Sequence, residues 1–427
     1  MSPIAGDSAM LCVALIALLP LALAGLALVN AGLGRSRSAA QSLLGALCIV
    51  AVAAAAYYAV GYSLEGFRGG SSYSLVLGST TWSWIGAQRL FFGGIVWNGS
   101  PASYAAVYQL LAVGLAALIP WGAGADRWRL AAACASTVLL AGFLYPIFAH
   151  WVWSGGWLVS LGLNFGLGGG FLDPGGAATI QAVGGMTALS VVWIMGPRRT
   201  KFSSGDLPRA IPGHHIVYVL FGCLLLLPGW LALNGLGAVL FARLAEPPLA
   251  LVEANTILCA AGALLGSLLA TRIHFGKPDA SLCANGWVAG LVASSAISVY
   301  ATPAEALLVG FVAGAGLPFA VEFLELRCRI DDPSGAIAAH GLSSLWALFA
   351  LGFLGGFPAG QELAQLVGIV TLIGLILPAA YFLNWLLDKV VPHRTSAEGE
   401  RLGMDLHELG AGAYPEFVIH GDEFLPR

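Results

Sequence analysis

Asp173-Pro174-Gly175-Gly176 is followed, eight residues after the aspartate, by Gln181, and Asp332-Pro333-Ser334-Gly335 is followed at the same spacing by His340. These two copies of a D-P-x-G-x4-[Q/H] pattern lie 159 residues apart. Each opens a long apolar segment, then continues into a small-residue stretch (Gly184-Gly185, Ser343-Ser344) and an Ala-Leu pair (Ala188-Leu189, Ala347-Leu348). A polar residue repeated one to two turns inside an apolar helix marks a transport path by default. One copy carries a group that can titrate and the other does not, so the mismatch between Gln181 and His340 sets the functional question.

The surrounding chain fits a membrane protein. Its 427 residues are 58% hydrophobic and only 10% charged, with a mean hydropathy of +0.83. That charge content excludes an ordinary soluble domain. Apolar runs of about 20 residues recur from end to end, each long enough to span a bilayer core. The spans must be helical, because lipid offers backbone groups no water to bond. The net charge of −3 says little about partners, but there is no basic tract suited to nucleic acid, and no nucleic-acid partner is expected. The seven cysteines sit mostly inside apolar runs, as small buried hydrophobes rather than a disulfide or metal framework. The first cationic residue, Arg35, follows the first apolar run, so that run reads as a retained span rather than a cleaved leader. There is no phosphate loop, metal-ligand spacing or nucleophile–base set, so neither an enzyme nor a cofactor is expected.

Eleven spans are expected, at about 8–33, 41–64, 103–123, 130–147, 174–196, 213–234, 249–271, 281–300, 304–325, 334–356 and 363–388. Residues 1–390 form one membrane domain and 391–427 a polar tail. Of the 19 Lys and Arg residues, 16 fall on one set of loops and the tail. Only Arg68, Arg89 and Arg243 fall on the other set. This bias places the N-terminus outside and the C-terminus in the cytoplasm. Asp173 then opens span five at the outer face, and Asp332 opens span ten at the inner face. The motif runs in opposite directions, as in an inverted repeat of about 8–196 against 213–356, followed by a final helix, with the special positions meeting near the midplane.

His340 is the only histidine deep in an expected span, and it must be neutral or paired there. Gln181 alone would read as interhelical glue, and its equivalence to His340 raises it. His150-Trp151-Val152-Trp153-Ser154-Gly155-Gly156-Trp157 lies at the outer end of span four. Its tryptophans fit an aromatic belt or a cation-attracting vestibule, and the belt is the commoner arrangement. Asp173 and Asp332 stand at helix starts, where a carboxylate caps orphan N–H groups and the following Pro suits the first turn. Asp173, on the outer side, can also support a cation site indirectly. The segment 65–102 is too polar to span, and its tryptophans are expected at the interface.

At these residues the chain resembles the ammonium transporter superfamily (Amt/Mep/Rh), nearest its Amt branch. The resemblance covers nearly the whole chain. It includes Gly61-Tyr62-Ser63-Leu64, Ala125-Asp126-Arg127, the His150–Gly156 stretch, Gly196-Pro197-Arg198-Arg199, Gly229-Trp230 with Asn234, and Asp331 through Gly341. The tail stretch from Gly403-Met404-Asp405 to Ala413-Tyr414 resembles a C-terminal signature. The resemblance implies an eleven-span homotrimer of the cell membrane, with an ammonium/ammonia pore in each subunit. It implies an outer aromatic recruiting site, a double phenylalanine gate, a midplane histidine pair and contact with a PII-type cytoplasmic regulator. Trp153 takes the place of the recruiting tryptophan and His340 that of the second histidine.

The departures fall along the path. Gln181 takes the place of the first histidine. By offset, Ala112 and Leu233 replace the two gate phenylalanines, Gly237 replaces the recruiting-site serine, and Gln109 keeps a family glutamine. Leu409 and Ala411 replace polar members of the tail signature. Glutamine does not titrate near neutral pH, so a two-histidine proton relay is broken at Gln181. Unless other side chains fill the space, the outer path is wider and wetter. Three readings remain open: an ammonium/ammonia transporter with impaired proton relay, an ammonium sensor with little conduction, and a channel for a larger amine or neutral gas.

Overall fold

The special positions of this chain are carried by helix starts, and the fold is an arrangement that brings those starts together. The computed structural model describes residues 6–202, 207–242, 244 and 246–414. Arg243, Arg427 and the tail beyond Tyr414 lie outside the described residues. Among the described residues, ten helices are long and apolar enough to cross a membrane. They are α1 (Ser8–Leu33), α2 (Ser36–Glu65), α3 (Pro101–Ala123), α4 (Leu130–Val152), α5 (Ala177–Met195), α6 (Ile216–Phe241), α7 (Leu249–Phe275), α8 (Ala280–Ile297), α9 (Pro303–Arg327) and, after a shorter apolar helix α10 (Ile337–Leu351), α11 (Gln361–Val390).

Of the boundaries that differ from expectation, three bear on the site, each for a local reason. Helix α4 continues past 147 to Val152. His150 therefore lies inside a helix at 2% exposure, and His340 is not the only deeply buried histidine. Helix α6 continues past 234 to Phe241, because Gly235 and Gly237 sit in close packing rather than breaking the helix. Helix α10 begins at Ile337, not 334, because the D-P-x-G turn consumes the residues before it. The segment 65–102 contains an antiparallel hairpin, β1 (Ser72–Leu77) with β2 (Thr80–Gly86), which periodicity did not reveal. Gly78, with φ +61, supplies its left-handed turn position. Trp82 stacks on Trp84 and Trp157 at centroid distances of 5.9 and 5.8 Å, so these rings pack on one another.

Both copies of the motif take the same local structure. The fourth residue, Gly176 or Gly335, has a positive φ of 83° or 67°, which disfavours any side chain. A π-helical turn follows, Ala177–Ala182 in one copy and Ile337–Leu342 in the other. Gln181 and His340 both lie within those turns, each eight residues after its aspartate. Wide turns of this kind recur at functional sites because they re-aim side chains. Asp173 accepts the N–H groups of Ala178 (3.0 Å) and Thr179 (2.8 Å), and Asp332 accepts that of Ile337 (2.7 Å). Capping is thus the first role of both aspartates.

Helices α5 and α10 cross where each carries a glycine. A Cβ placed on Gly185 would stand 2.5 Å from the Gly341 Cα, so the two backbones touch there. Small residues permit such an approach between membrane helices.

A buried ionic cluster ties the basic loops together. Arg198 Nε and Nη2 donate to the two oxygens of Asp331, both at 2.8 Å, and Nη1 donates to Asp126 at 2.9 Å. Arg127 donates to the carbonyls of Asp331 (2.6 Å) and Gly196 (2.9 Å). Loops after α3, α5 and α9 are locked by these contacts. Burial works to raise the Asp331 carboxyl, but Arg127 and Arg198 overcome it and hold the group well below the usual carboxylate range. The described tail docks beside this cluster. Asp405 accepts the N–H groups of Ala40 (3.2 Å) and Gln41 (2.7 Å), and Glu408 accepts that of Leu130 (3.1 Å). Two tail carboxylates thereby cap the amino ends of α2 and α4.

Two outcomes follow from this packing. Gly185→Val forces the crossing apart and lowers stability by about 1–3 kcal/mol or more, read as a loss of melting temperature in detergent. Asp331→Asn leaves Arg127 and Arg198 short of a counter-charge and costs about 3–5 kcal/mol at neutral pH. Because the Asp331 carboxyl is depressed in the folded state, its contribution is present above roughly pH 4, the unfolded carboxylate range, and is lost as pH falls through the folded value. The melting gap between wild type and Asp331→Asn should therefore close only in acid below about pH 4.

Candidate functional site: a buried Gln181–His340 pair beneath an aromatic mouth

The α5–α10 crossing places Gln181 and His340 face to face. His340 Nδ1 lies 2.7 Å from Gln181 Oε1. A carbonyl oxygen only accepts, so Nδ1 carries the proton and His340 Nε2 keeps its lone pair. Gln181 is fully buried and His340 is 2% exposed. The Gln181 amide nitrogen has no hydrogen-bond partner among the described residues. A buried amide without a partner is costly, and such groups concentrate where a ligand passes. The pair presents two free N–H groups, both on the Gln181 amide, and one free acceptor, on His340.

At the end of the path that carries α4's last turn, Trp153 donates its indole N–H to the Asp173 carbonyl at 2.7 Å. Phe241 stacks on the Trp153 ring, with centroids 4.3 Å apart and planes within 9°. Tyr108 meets both rings edge-on at 6.2 and 5.5 Å. Trp153 is 6% exposed, and Trp151 also is buried, so these tryptophans form no lipid-facing belt. Trp153 and Phe241 line a cavity of about 140 Å³. Asp173 serves this region through its carbonyl, since both carboxylate oxygens are engaged by the cap. Burial pushes its carboxyl up to about 6, against the lowering effect of the Thr179 and Ala178 donors.

The remaining sequence candidates have other places. Ala112 and Leu233 are each 1% exposed in the packed interior, and the outer rings are supplied instead by Tyr108 and Phe241. Gly237 faces the carbonyl of Pro174, so this position joins α6 to the Asp173 turn and has no room for a side chain. Trp230 is fully buried and donates to Ser295 Oγ at 3.0 Å, anchoring α6 on α8. Gln109 is not beside Gln181. It donates to Glu65 Oε1 at 2.6 Å and accepts from Tyr145.

Sequence reasoning passed over Glu65, Tyr108 and Phe241. Glu65 had a visible signal, a carboxylate at the edge of an apolar run directly after Gly61-Tyr62-Ser63-Leu64. The two rings had none, since an aromatic inside an apolar helix reads as core.

Paired helices that start at matching turns and hold a buried polar pair at their crossing define a membrane protein of the transport type. Comparison with known proteins gives the family. The model of the Ammonium Transporter Family matches residues 9–414, and the chain belongs to this family. The ammonium transporter Amt2 of Archaeoglobus fulgidus is 32% identical over 415 residues, covering 92% of this chain and 85% of the relative. The ammonium transporter Amt2 of Haloferax mediterranei is 30% identical, covering 92% and 87%. Among solved structures, one titled Sensor Amt Protein superposes with a TM-score of 0.84 at 25% identity, covering 94% of this chain and 97% of that one. Candida albicans Mep2 shares the fold, with a TM-score of 0.79 at 23% identity, covering 96% and 90%. Members of this family are transporters or channels, not enzymes.

The hydrogen bond across the pair is open to test. Gln181→Leu strands the His340 Nδ1–H in a dry site and should cost about 1–3 kcal/mol of stability. Thermal melting of the purified variant beside wild type measures this.

Proposed function

We propose that this chain carries ammonium nitrogen across a cell membrane as neutral ammonia, along a path in each subunit that passes Gln181 and His340. The observation that carries this reading is the polarity of the pair. The Gln181 amide N–H is free and His340 Nε2 holds a lone pair. Ammonia has one lone pair and three N–H groups, so it accepts from Gln181 and donates to His340. Ammonium has no lone pair and meets the amide N–H as a like pole. A proton cannot be handed across, because the amide does not titrate near neutrality. Eleven crossings with the N-terminus outside, a homotrimeric assembly and a tail that meets a PII-type regulator belong to the same reading. Family membership and the docked tail support them.

A sensor with little conduction is the second reading, favoured by the likeness to the structure titled Sensor Amt Protein. Growth of a transporter-deficient strain on low ammonium separates the two. Rescue by the wild-type chain supports transport, and failure to rescue at normal membrane abundance supports sensing.

Charge movement tests the role of Gln181. In proteoliposomes on a solid-supported membrane, wild type should give little ammonium-evoked current while passing ammonia. Gln181→His, which supplies a second imidazole, should raise the current about tenfold or more, the scale expected when a positioned titratable group is added. A large wild-type current that survives replacement of His340 would defeat the broken-relay argument.

A further inference from the structure

If ammonia enters neutral and no proton passes the pair, something on the outer side must take the proton from ammonium. Glu65 ends α2 and lines the same outer cavity as Trp153 and Phe241. It is 3% exposed. Its carboxylate is held by neutral donors alone: Tyr57 O–H to Oε2 at 2.7 Å and Gln109 Nε2 to Oε1 at 2.6 Å. It forms no ion pair among the described residues. Arg68 lines the cavity too, but it is exposed and is not paired with Glu65. A buried carboxylate without a cation is expensive unless it takes a proton or a positive ligand.

The neighbours strengthen this placement. Trp153 and Phe241 stack into one aromatic wall of the cavity, and ring faces attract ammonium-type ions. The Tyr108 hydroxyl is fully buried and has no hydrogen-bond partner among the described residues. It stands in the field of both Glu65 and Asp173. The other titratable groups around the carboxylate are Tyr57, Tyr62 and Tyr145. His150 meets Glu65 through its backbone carbonyl, on Nδ1 at 2.7 Å, while its Nε2 meets Ser83 Oγ at 2.9 Å. No neighbour supplies a buried positive charge to Glu65, which is among the residues lining the cavity.

We propose that Glu65 is the base that receives an ammonium ion in the outer cavity and removes its proton before ammonia moves inward. This rests on the transport reading above, but the chemistry at Glu65 can be observed without conduction. One N–H bond of ammonium breaks, and its electron pair stays on nitrogen as the lone pair of ammonia. The proton forms an O–H bond on the carboxylate, each oxygen of which has a lone pair beyond the one its neutral donor uses. In a site shielded from water, the neutral pair of acid and ammonia is favoured over the ion pair by the desolvation that both ions escape. The proton then returns to the outer water through the cavity mouth, which resets Glu65.

Infrared difference spectroscopy on the full-length protein in lipid, with ammonium chloride exchanged against sodium chloride, tests this. In buffer alkaline enough to leave Glu65 ionised without ammonium, wild type should gain the carbonyl band of a protonated carboxylic acid when ammonium is added, and Glu65→Gln should lack it. No ammonium-specific band in wild type, or a band that persists in folded Glu65→Gln, would overturn the proposal. If Glu65→Gln does not fold, Glu65→Asp must shift the band, and an unshifted band overturns it equally. In proteoliposomes, removing the base should slow ammonium-driven ammonia entry by about a hundredfold, in the range of general-base effects. Unchanged entry in folded Glu65→Gln also overturns the proposal. A wild type that shows the band without flux keeps Glu65 as the base and removes the transport reading instead.

Discussion

The contact between Gly185 and Gly341 governs the rest of the site. Two helices that touch through backbone leave their neighbouring side chains nowhere to go but toward each other. Gln181 lies one turn before the first glycine, and His340 is adjacent to the second. The 2.7 Å bond between them follows from that crossing and from the matched π-helical turns that carry them. The turns depend in turn on Gly176 and Gly335, whose positive φ lets each aspartate fold back onto its own helix start. The ionic cluster of Arg127, Arg198, Asp126 and Asp331 fixes the far end of the same arrangement. A bilayer offers no solvent to replace any of these bonds, so each is made within the protein.

Much of this was legible in the chain, for a definite reason. The motif at Asp173 and Asp332 combines residues whose backbone demands are strict, namely Pro, Gly and a short capping carboxylate. Such demands are local, so the sequence exposes them. The pairing of Gln181 with His340 was legible because repetition gave the two positions equal standing. Helix ends were less visible where glycine was involved. Gly235 and Gly237 look like breakers in a one-dimensional reading, yet α6 runs through both, because the space a side chain would need is filled by neighbouring elements.

The outer mouth was the least legible part. Offset along a helix marks Ala112, Leu233 and Gly237 as altered positions, but offset cannot show what replaces lost bulk. Tyr108 lies one turn before Ala112, and Phe241 one turn after Gly237. Each brings a ring to Trp153 from a different helix. Their convergence is a tertiary fact with no local signature. The same holds for Gln109, which reads as a pore residue and instead joins a chain of hydrogen bonds from Tyr145 to Glu65.

The departure at Gln181 has a physical sense beside the carboxylate of Glu65. A pair that can only donate from an amide and accept on an imidazole discriminates by lone pair, not by charge. It passes molecules that both accept and donate, and it offers a bare cation no compensation for lost water. Such a filter works only if the proton has been left behind before the filter is reached. The outer cavity holds a buried carboxylate whose partners are all neutral, beside an aromatic wall suited to cations. In the transport reading proposed above, charge handling is confined to the mouth and neutral handling to the interior. Replacing the first histidine by glutamine is then less a defect in a relay than a division of work between two sites along one path.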